Sequence, residues 1–261
     1  MATTKCLEAL ANMEYPGRVI ILGTDRYMRN SIAVYAITGR SPSSQARRLV
    51  MKDDGNIWTV PTDEKTLQQG DARLLIYPAI MLCFDDKKSY GIAVSNGIQT
   101  KEMKDNINAG YEGIKCISLA LKKWGYEPDS PNYTPRIGGV IKADPNNSIA
   151  LGIIRKGEGY EAKTKCFKIG IEKGYGSMIT TYAGANENPL PSFKGAPADV
   201  RLTGKTASDI AENVYEALAP KDPSKDYRVS VACVFLKLSD KKDSKPIIIS
   251  EHHIINRNWV R

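Results

Sequence analysis

The sequence predicts an α+β fold with mostly antiparallel sheets, and three observations carry this prediction. About twelve segments are rich in Ile, Val and Tyr and are bounded by Gly, Asp, Asn or Pro, which is typical of strands. Only two segments show the three- and four-residue apolar spacing of a core-facing helix. The strands follow one another without alternating helices, and this order favours antiparallel pairing over βαβ units.

The predicted strands fall into two groups along the chain. The first group covers residues 18–22, 32–38, 48–51, 57–60, 74–84, 90–94 and 137–141, with a bend at Pro78. The second group covers residues 149–154, 166–171, 178–182, 229–238 and 246–251. One predicted helix lies within the first group, between the strands at 90–94 and 137–141, and the other lies within the second group, between those at 178–182 and 229–238.

The two predicted helices span residues 106–124 and 205–219. The second begins with Thr206 and Asp209 in capping-box spacing and stops at Pro220. The first carries a predicted core-facing stripe of Ile107, Tyr111, Ile114, Ile117, Leu121 and Trp124.

The chain is expected to form one domain. Residues 1–14 are predicted to be a short helical or disordered N-terminal extension, and residues 15–261 a single domain without a linker. No stretch reaches the roughly 20 apolar residues of a membrane helix, and the first residues lack the pattern of a secretory signal. We therefore expect a cytoplasmic protein with no membrane partner.

The charge pattern favours a small anionic partner. The formal net charge is +8, but Lys and Arg are dispersed and mixed with acidic residues, and no nucleic-acid-binding motif is visible. A phosphorylated metabolite is thus preferred over RNA or DNA. The only histidines, His252 and His253, are adjacent and would point to opposite faces of a strand, so no metal site is predicted.

The cysteines are expected to be packing residues. Five are present without a CxxC pair, and Cys83, Cys116, Cys166 and Cys233 lie in apolar segments. The sequence Gly-Lys-Thr at 204–206 resembles the end of a phosphate-binding P-loop. The full P-loop motif needs a glycine at position 199, where this chain has Asp199, so we interpret these residues as the start of a helix.

Polar clusters lie where predicted strands end. Residues 39–48 combine three arginines and three serines, which can supply bidentate forks and hydroxyl donors to a phosphate. Asn96 ends another strand, where its amide can donate to a developing oxyanion or simply shape a turn. A loop stiffened by three prolines, residues 124–137, carries polar side chains suited to substrate positioning.

The order of these clusters resembles the archaeal-type inosine monophosphate (IMP) cyclohydrolases. The likeness runs from about residue 15 to residue 261 and rests on several short motifs in the correct order. They are Tyr15-Pro16-Gly17-Arg18, Thr38-Gly39-Arg40-Ser41 through Arg47, Ser95-Asn96-Gly97, Tyr126-Glu127 through Asn132, Thr134-Pro135-Arg136-Ile137, Thr181-Tyr182 and Phe193-Lys194-Gly195.

The resemblance implies a fold and a reaction. The fold is an N-terminal-nucleophile-hydrolase-like four-layer αββα sandwich without an autoprocessed N-terminus. The reaction is the dehydrative closure of 5-formamidoimidazole-4-carboxamide ribotide to IMP in de novo purine biosynthesis. This reaction needs no metal or cofactor, and the family resemblance implies a homo-oligomer.

Roles follow for nine residues on this interpretation. Arg47 and Arg136 bind anionic or carbonyl oxygens of the ribotide, with Arg40 and Ser41 as further phosphate ligands. Catalysis is assigned to Asn96, which donates near the formyl oxygen, and to Tyr77 and Glu127, which handle protons. Tyr77 can equally be a core tyrosine and Glu127 a solvated loop carboxylate. Two tyrosines, Tyr126 and Tyr182, stack on or hydrogen-bond the imidazole.

Two alternatives stay open at the level of sequence. An N-terminal-nucleophile amidohydrolase would need cleavage that exposes Thr3, Thr4 or Cys6, because removal of the first methionine exposes Ala2. A non-catalytic nucleotide- or nucleic-acid-binding protein would show a steep salt dependence of RNA or DNA binding.

Overall fold

The computed structural model describes residues 7–63, 75–84, 90–143, 148–237 and 249–257. Within these ranges the chain forms two sheets in which every paired strand runs antiparallel to its neighbours. Helices are few and lie between runs of strands. The prediction of an α+β fold with mostly antiparallel sheets is therefore confirmed.

The first sheet has six strands, which include the first and the last strand of the described residues. Its strands are β1 (Arg18–Thr24), β2 (Asn30–Thr38), β10 (Tyr175–Thr180), β11 (Ala198–Arg201), β12 (Arg228–Lys237) and β13 (Ile249–Asn256). Their order across the sheet is β11-β10-β1-β2-β12-β13. The long strands β1, β2 and β12 therefore occupy its centre.

The second sheet has seven strands in chain order from edge to edge. They are β3 (Arg47–Met51), β4 (Ile57–Pro61), β5 (Tyr77–Phe84), β6 (Tyr90–Ser95), β7 (Arg136–Ala143), β8 (Ser148–Lys156) and β9 (Ala162–Ile169). The described residues also form five α-helices, α1 (Glu8–Ala11), α2 (Pro42–Gln45), α3 (Gln99–Asn108), α4 (Gly113–Leu121) and α5 (Ala207–Ala217), and a 3₁₀ turn at Pro223–Lys225.

Strand β1 shows why the central strands are uninterrupted apolar runs. Side chains alternate between the two faces of a strand. Ile20 and Leu22 belong to a core cluster that both sheets share. Val19 and Ile21 alternate with these two residues along the strand and point to the other face. They belong to a second cluster, which includes Ile210 of α5. Both faces are thus buried, and only an apolar sequence satisfies them.

The seven-stranded sheet is buried in the same way at its centre. Ile92 and Val94 of β6 lie in the cluster that both sheets share. Ala93, between them, packs with Ile107 of α3 and Ile117 of α4 in a third cluster. The Ala93 face of β6 therefore packs against helices α3 and α4.

The single predicted helix at 106–124 is wrong, because two helices occupy and extend this region. Helix α3 ends at Asn108, Gly110 and Gly113 have positive φ angles of 85° and 51°, and α4 then begins with a new phase. Two residues predicted to face the core, Tyr111 and Ile114, are accordingly 37% and 41% exposed. Ile107, Ile117 and Leu121 are fully buried, and Trp124 packs against their cluster, as predicted.

The other predicted elements agree with the structure where it describes them. Each predicted strand overlaps an observed strand, although residues 74, 238 and 246–248 lie outside the described residues. Helix α5 begins as expected, because Thr206 and Asp209 form a complete capping box. Strand β11 was not predicted, since its four residues include only one buried side chain, Val200.

The N-terminal residues that the structure describes contact the main core. Leu7 and Leu10 flank or belong to α1 and are buried in the cluster beneath α5. The predicted division between residues 1–14 and 15–261 stays a prediction.

One side chain fastens the edge of one sheet to the edge of the other. Asn256 of β13 accepts a hydrogen bond from the Leu49 amide (2.9 Å) and donates one to the Leu49 carbonyl (3.0 Å). Its amide oxygen also accepts from the Ser230 hydroxyl at 2.6 Å. The side chain thus takes the place of a neighbouring strand beside β3, the strand that begins at Arg47.

Candidate active site

A cavity of about 330 Å³ lies where β1 and β3 begin and where the loop before β7 crosses them. Five predicted site residues line this cavity: Arg40, Ser41, Arg47, Glu127 and Tyr182. Other lining residues were not assigned a role from the sequence: Tyr15, Arg18, Ser43, Ser44, Asp129, Asn132, Thr134 and Leu190.

The first wall of the cavity is cationic and is carried by strands. Arg18 is the first residue of β1, and its guanidinium donates to the Thr38 carbonyl at 2.9 Å. Arg47 is the first residue of β3, and burial together with the nearby charge of Arg18 lowers the pKa of Arg47. Two positive charges held close in a partly dry site favour an anion between them.

Arg40 extends this wall toward the surface. Its guanidinium donates to the Asn186 side chain (3.0 Å) and to the Glu187 carbonyl (2.8 Å), and it lies 5.7 Å from the centre of the Tyr15 ring. These contacts fix the direction of the side chain. Beside it, Ser41 caps the short helix α2 by accepting from the Ser44 amide at 3.2 Å.

Glu127 lines the same cavity and lies on the loop between α4 and β7. Its side chain is 13% exposed and lies 3.6 Å from the guanidinium of Arg136. Burial raises the pKa of Glu127 to about 7, against the opposing charges of Arg136 and Arg18. A carboxyl group that titrates near neutral pH can both accept and return a proton.

The loop that carries Glu127 is held by its own hydrogen bonds. The Glu127 amide donates to the Thr134 carbonyl at 2.9 Å, and the Asp129 carbonyl accepts from the amides of Asn132 and Tyr133. Tyr133 has a φ of 47°, a left-handed conformation that closes the turn. The loop is thereby fixed without belonging to either sheet.

Asp129, Thr134 and Tyr182 form a connected polar chain along the cavity. The Thr134 hydroxyl donates to a carboxylate oxygen of Asp129, and the other oxygen accepts from the Thr134 amide at 2.6 Å. The hydroxyls of Thr134 and Tyr182 lie 2.6 Å apart. Tyr182 also stacks on Tyr15 at 5.7 Å, and burial raises the pKa of its phenol.

Tyr77 lies behind the cationic wall and does not line the cavity. It is 1% exposed, its hydroxyl is 2.8 Å from that of Tyr35, and it also hydrogen-bonds the side chain of Arg18. Burial raises the pKa of Tyr35 well above its usual value. The structure therefore connects Tyr77 to the cavity through Arg18.

Asn96 and Arg136 lie behind Glu127. The Asn96 amide donates to the Pro135 carbonyl (2.9 Å), and its oxygen accepts from the Ile137 amide (2.8 Å). These bonds set the start of β7 and hence the position of Arg136, whose guanidinium faces Glu127 and the ring of Trp124 at 5.2 Å. The predicted contact of Asn96 with a formyl oxygen stays a prediction.

Tyr126 is placed apart from the other predicted residues. Its hydroxyl donates to the Tyr160 carbonyl at 2.8 Å, and its ring meets the Tyr133 ring edge-on. Arg18 was the main omission from the predicted site. Its only signal in the sequence was the Tyr15-Pro16-Gly17-Arg18 motif, where an arginine at the start of a strand resembles any half-exposed charge.

Other predicted features have structural roles. Cys83, Cys116 and Cys233 are buried as predicted, whereas Cys166 is half-buried, and Cys6 lies outside the described residues. Among the residues that the structure describes, no three His, Cys, Asp or Glu side chains are grouped to hold a metal ion. None of the described helices has the length and apolar composition to cross a membrane.

Comparison with known sequences decides the family. Residues 15–241 match the family described as IMP cyclohydrolase-like protein, which is most of the chain. The chain belongs to this family. It is 26% identical over 201 residues to the IMP cyclohydrolase of Methanothrix thermoacetophila, covering 77% of this chain and 85% of the relative. It is 28% identical over 142 residues to the IMP cyclohydrolase of Haloquadratum walsbyi, covering 54% and 62% respectively.

Proposed function

We propose that this member of the IMP cyclohydrolase family closes 5-formamidoimidazole-4-carboxamide ribotide to IMP with release of water. The observation that carries the proposal is the cavity itself. Glu127, with a pKa of about 7, lines this cavity together with the strand-borne arginines Arg18 and Arg47. The arginines suit the binding of a phosphate group, and Glu127 suits proton transfer on the uncharged part of the same ligand.

The reaction requires one bond to form and one to break within a single molecule. The carboxamide nitrogen attacks the formyl carbon, and one proton passes from that nitrogen to the formyl oxygen. A second proton leaves the formamide nitrogen as the new hydroxyl departs as water, which gives the C=N bond of the ring. Because both reacting groups are already on the imidazole, holding the reactive rotamer supplies much of the acceleration.

The ribotide phosphate is assigned to the cationic wall. Arg40 and Arg47 present guanidinium groups there, and the hydroxyl of Ser41 lies beside them. Bidentate bonds from arginine match phosphate geometry, and burial of Arg47 strengthens its attraction to an anion. Arg18 adds a third positive charge at the inner end of this wall.

The uncharged ring is assigned to the wall formed by Glu127 and Tyr182. As a carboxylate, Glu127 takes the proton from the carboxamide nitrogen, and as an acid it returns a proton to the departing oxygen. Tyr77 adjusts this step through its bond to Arg18, and Arg136 keeps Glu127 in place from behind. Tyr126 and Asn96 keep their predicted roles as hypotheses. The reaction involves no oxidation or reduction, and its proton transfers are assigned to side chains, so we assign no metal or cofactor.

Three broader assignments accompany the function. The helices α3 and α4 on one sheet, α5 on the other, and the core shared by the two sheets support the four-layer N-terminal-nucleophile-hydrolase-like sandwich. Membership of the family supports a cytoplasmic enzyme. We also propose a homo-oligomer, which sedimentation of the purified protein measures directly.

The test is conversion of the purified ribotide. The protein is incubated with the formamido ribotide in the presence of EDTA, and IMP is measured by chromatography. We expect IMP in one-to-one yield, with a rate proportional to protein concentration. Formation of IMP no faster than without protein contradicts the proposal.

The alternatives give different results in the same samples. An N-terminal-nucleophile amidohydrolase predicts a mass that lacks the residues before Thr3, Thr4 or Cys6, all of which lie outside the described residues. A nucleic-acid-binding protein predicts RNA or DNA affinity that falls steeply with salt. Neither alternative predicts release of IMP.

A further inference from the structure

The polar chain formed by Asp129, Thr134 and Tyr182 has only one consistent direction. The two carboxylate oxygens of Asp129 accept both bonds that Thr134 offers, one from the amide and one from the hydroxyl. The hydroxyl of Thr134 has a single proton, and this proton is used in the bond to Asp129. Toward Tyr182, 2.6 Å away, its oxygen is therefore an acceptor.

The same reasoning fixes the hydroxyl of Tyr182. It also has one proton, which it donates to Thr134, so the remaining lone pairs of its oxygen can only accept. Tyr182 is 5% exposed and lines the cavity with both of its partners. A buried phenol whose proton is already committed rejects ligands that offer it only another acceptor, since one of two facing acceptors would lose its hydrogen bond.

We propose that Asp129 and Thr134 are positioning residues that make Tyr182 an obligate hydrogen-bond acceptor, so that the site selects bases that carry an N–H at the carboxamide nitrogen of the ribotide, the atom that becomes N1 of the closed purine. This inference rests on the proposed function for the identity of the ligand. The carboxamide of the ribotide and the protonated N1 of IMP both carry such a donor, whereas N1 of adenosine monophosphate (AMP) is an acceptor.

Electrostatics place the base, not the phosphate, at this end of the cavity. The charge of Asp129 helps to raise the pKa of Glu127, and both residues line the cavity together with Tyr182. A phosphate beside Asp129 would be repelled by the two carboxylates, whereas Arg40 and Arg47, which line the same cavity, would attract it. The donor-bearing part of the ligand is left to meet Tyr182.

Neutron diffraction from deuterated crystals of the wild-type protein tests the direction of the chain without any ligand. We expect the deuteron of Tyr182 to lie between its oxygen and Thr134, and that of Thr134 to point at Asp129. A Tyr182 deuteron directed into the cavity, or a Thr134 deuteron directed at Tyr182, overturns the proposal. This measurement is decisive even if the wild-type protein forms no IMP and the proposed function fails.

Calorimetric titration with IMP and AMP tests the consequence for selectivity. Thr134→Val keeps the shape of the side chain but removes the acceptor, so the Tyr182 hydroxyl is freed to donate into the cavity. We expect the preference for IMP over AMP to fall by about tenfold, the worth of one hydrogen bond. Thr134→Ser retains the hydroxyl and should keep the preference within about threefold. Equal weakening of IMP and AMP by Thr134→Val overturns the proposal.

A double variant separates positioning from a structural effect. If Thr134 acts through the phenol, Thr134→Val should change the preference by no more than about twofold in a Tyr182→Phe background. If the full change persists without the phenol, Thr134 does not act through Tyr182 and the inference is wrong. Thermal melts of each variant accompany the titrations.

Discussion

The two walls of the cavity are held in place by different means. Arg18 and Arg47 are the first residues of β1 and β3, so neighbouring strands fix their backbones; Ile37 and Pro61 are their direct partners. Glu127 and Thr134 lie on a loop that is fixed by a few bonds of its own. The cationic wall should therefore tolerate changes elsewhere in the molecule, whereas the loop wall should depend on each of its hydrogen bonds.

The largest effect is expected from the loop wall. Glu127→Gln preserves shape but removes the proton-transferring group, so kcat for ring closure should fall by about 10³-fold with little change in ribotide affinity. In the wild type, kcat/KM should decrease as pH falls below 7, because the base is lost when Glu127 is protonated near its pKa of about 7. A pH–rate profile of both proteins measures this, and an unchanged inflection in the variant contradicts the assignment.

The same substitution should stabilise the fold at alkaline pH. The pKa of Glu127 rises from 4.5 to about 7 on folding, so the protonated group contributes stability below pH 4.5 that is lost as pH rises through 7. Glutamine is neutral throughout. The variant should therefore melt at a higher temperature than the wild type at pH 8, with the difference disappearing at pH 4.5. Parallel thermal melts at the two pH values check the sign.

Substitutions in the cationic wall should mainly weaken the binding of the ribotide. Arg47→Ala removes a buried cation, and kcat/KM should fall by about 100-fold through weaker ribotide binding, as expected for lost charge-assisted bonds. Arg201→Ala is the matched control, since Arg201 is exposed on the edge strand β11 and does not line the cavity. Equal losses in the two variants would mean that diffuse charge, and not a defined site, binds the phosphate.

A substitution at Tyr77 tests whether the residues behind the cationic wall contribute to turnover. Tyr77→Phe removes the hydroxyl that bonds Tyr35 and Arg18, and turnover should fall by about tenfold with KM nearly constant. Tyr90→Phe serves as the control, because Tyr90 is also a buried tyrosine of the same sheet. If kcat falls equally in both variants, the role of Tyr77 is confined to packing in the core.

The smallest effect is expected from a bond that only steadies the loop. The Asn132 side chain accepts from the Leu190 amide at 3.0 Å, joining the loop to the segment after Tyr182. Asn132→Ala should lower kcat/KM by about three- to fivefold, because one neutral hydrogen bond is lost. Steady-state kinetics with Asn132→Asp, which keeps an acceptor oxygen, provide the comparison. A loss as large as that of Glu127→Gln would place Asn132 in direct contact with the ligand.

The sequence predicted the strands well because their periodicity and composition agree with burial on both faces. It predicted one helix instead of α3 and α4. The apolar residues from Ile107 to Ile117 keep a helical spacing, although the backbone turns between them at Gly110 and Gly113. Short apolar periodicity does not record such a change of phase. Residues 99–105, most of α3, were also missed, and two of them, Gln99 and Thr100, are polar yet buried.

The site was predicted in part for a related reason. Residues 39–48 and 124–137 are dense in polar groups, so Arg40, Arg47 and Glu127 stood out. Arg18 did not stand out in the sequence. It matters because it lies near Arg47, and the two residues are carried by different sheets. Asn96 has an amide suited to an oxyanion, but its bonds to Pro135 and Ile137 are visible only in three dimensions.

The contact between Asn256 and Leu49 has a consequence for the order in which the molecule is made. The two residues are 207 positions apart, so the side chain that flanks β3 is synthesised long after the strand itself. Closing so long a loop is slow compared with forming the β3–β4 hairpin. During translation the strand that begins at Arg47 therefore has an open edge until residue 256 leaves the ribosome, and the ligand-binding wall is completed among the last events of folding.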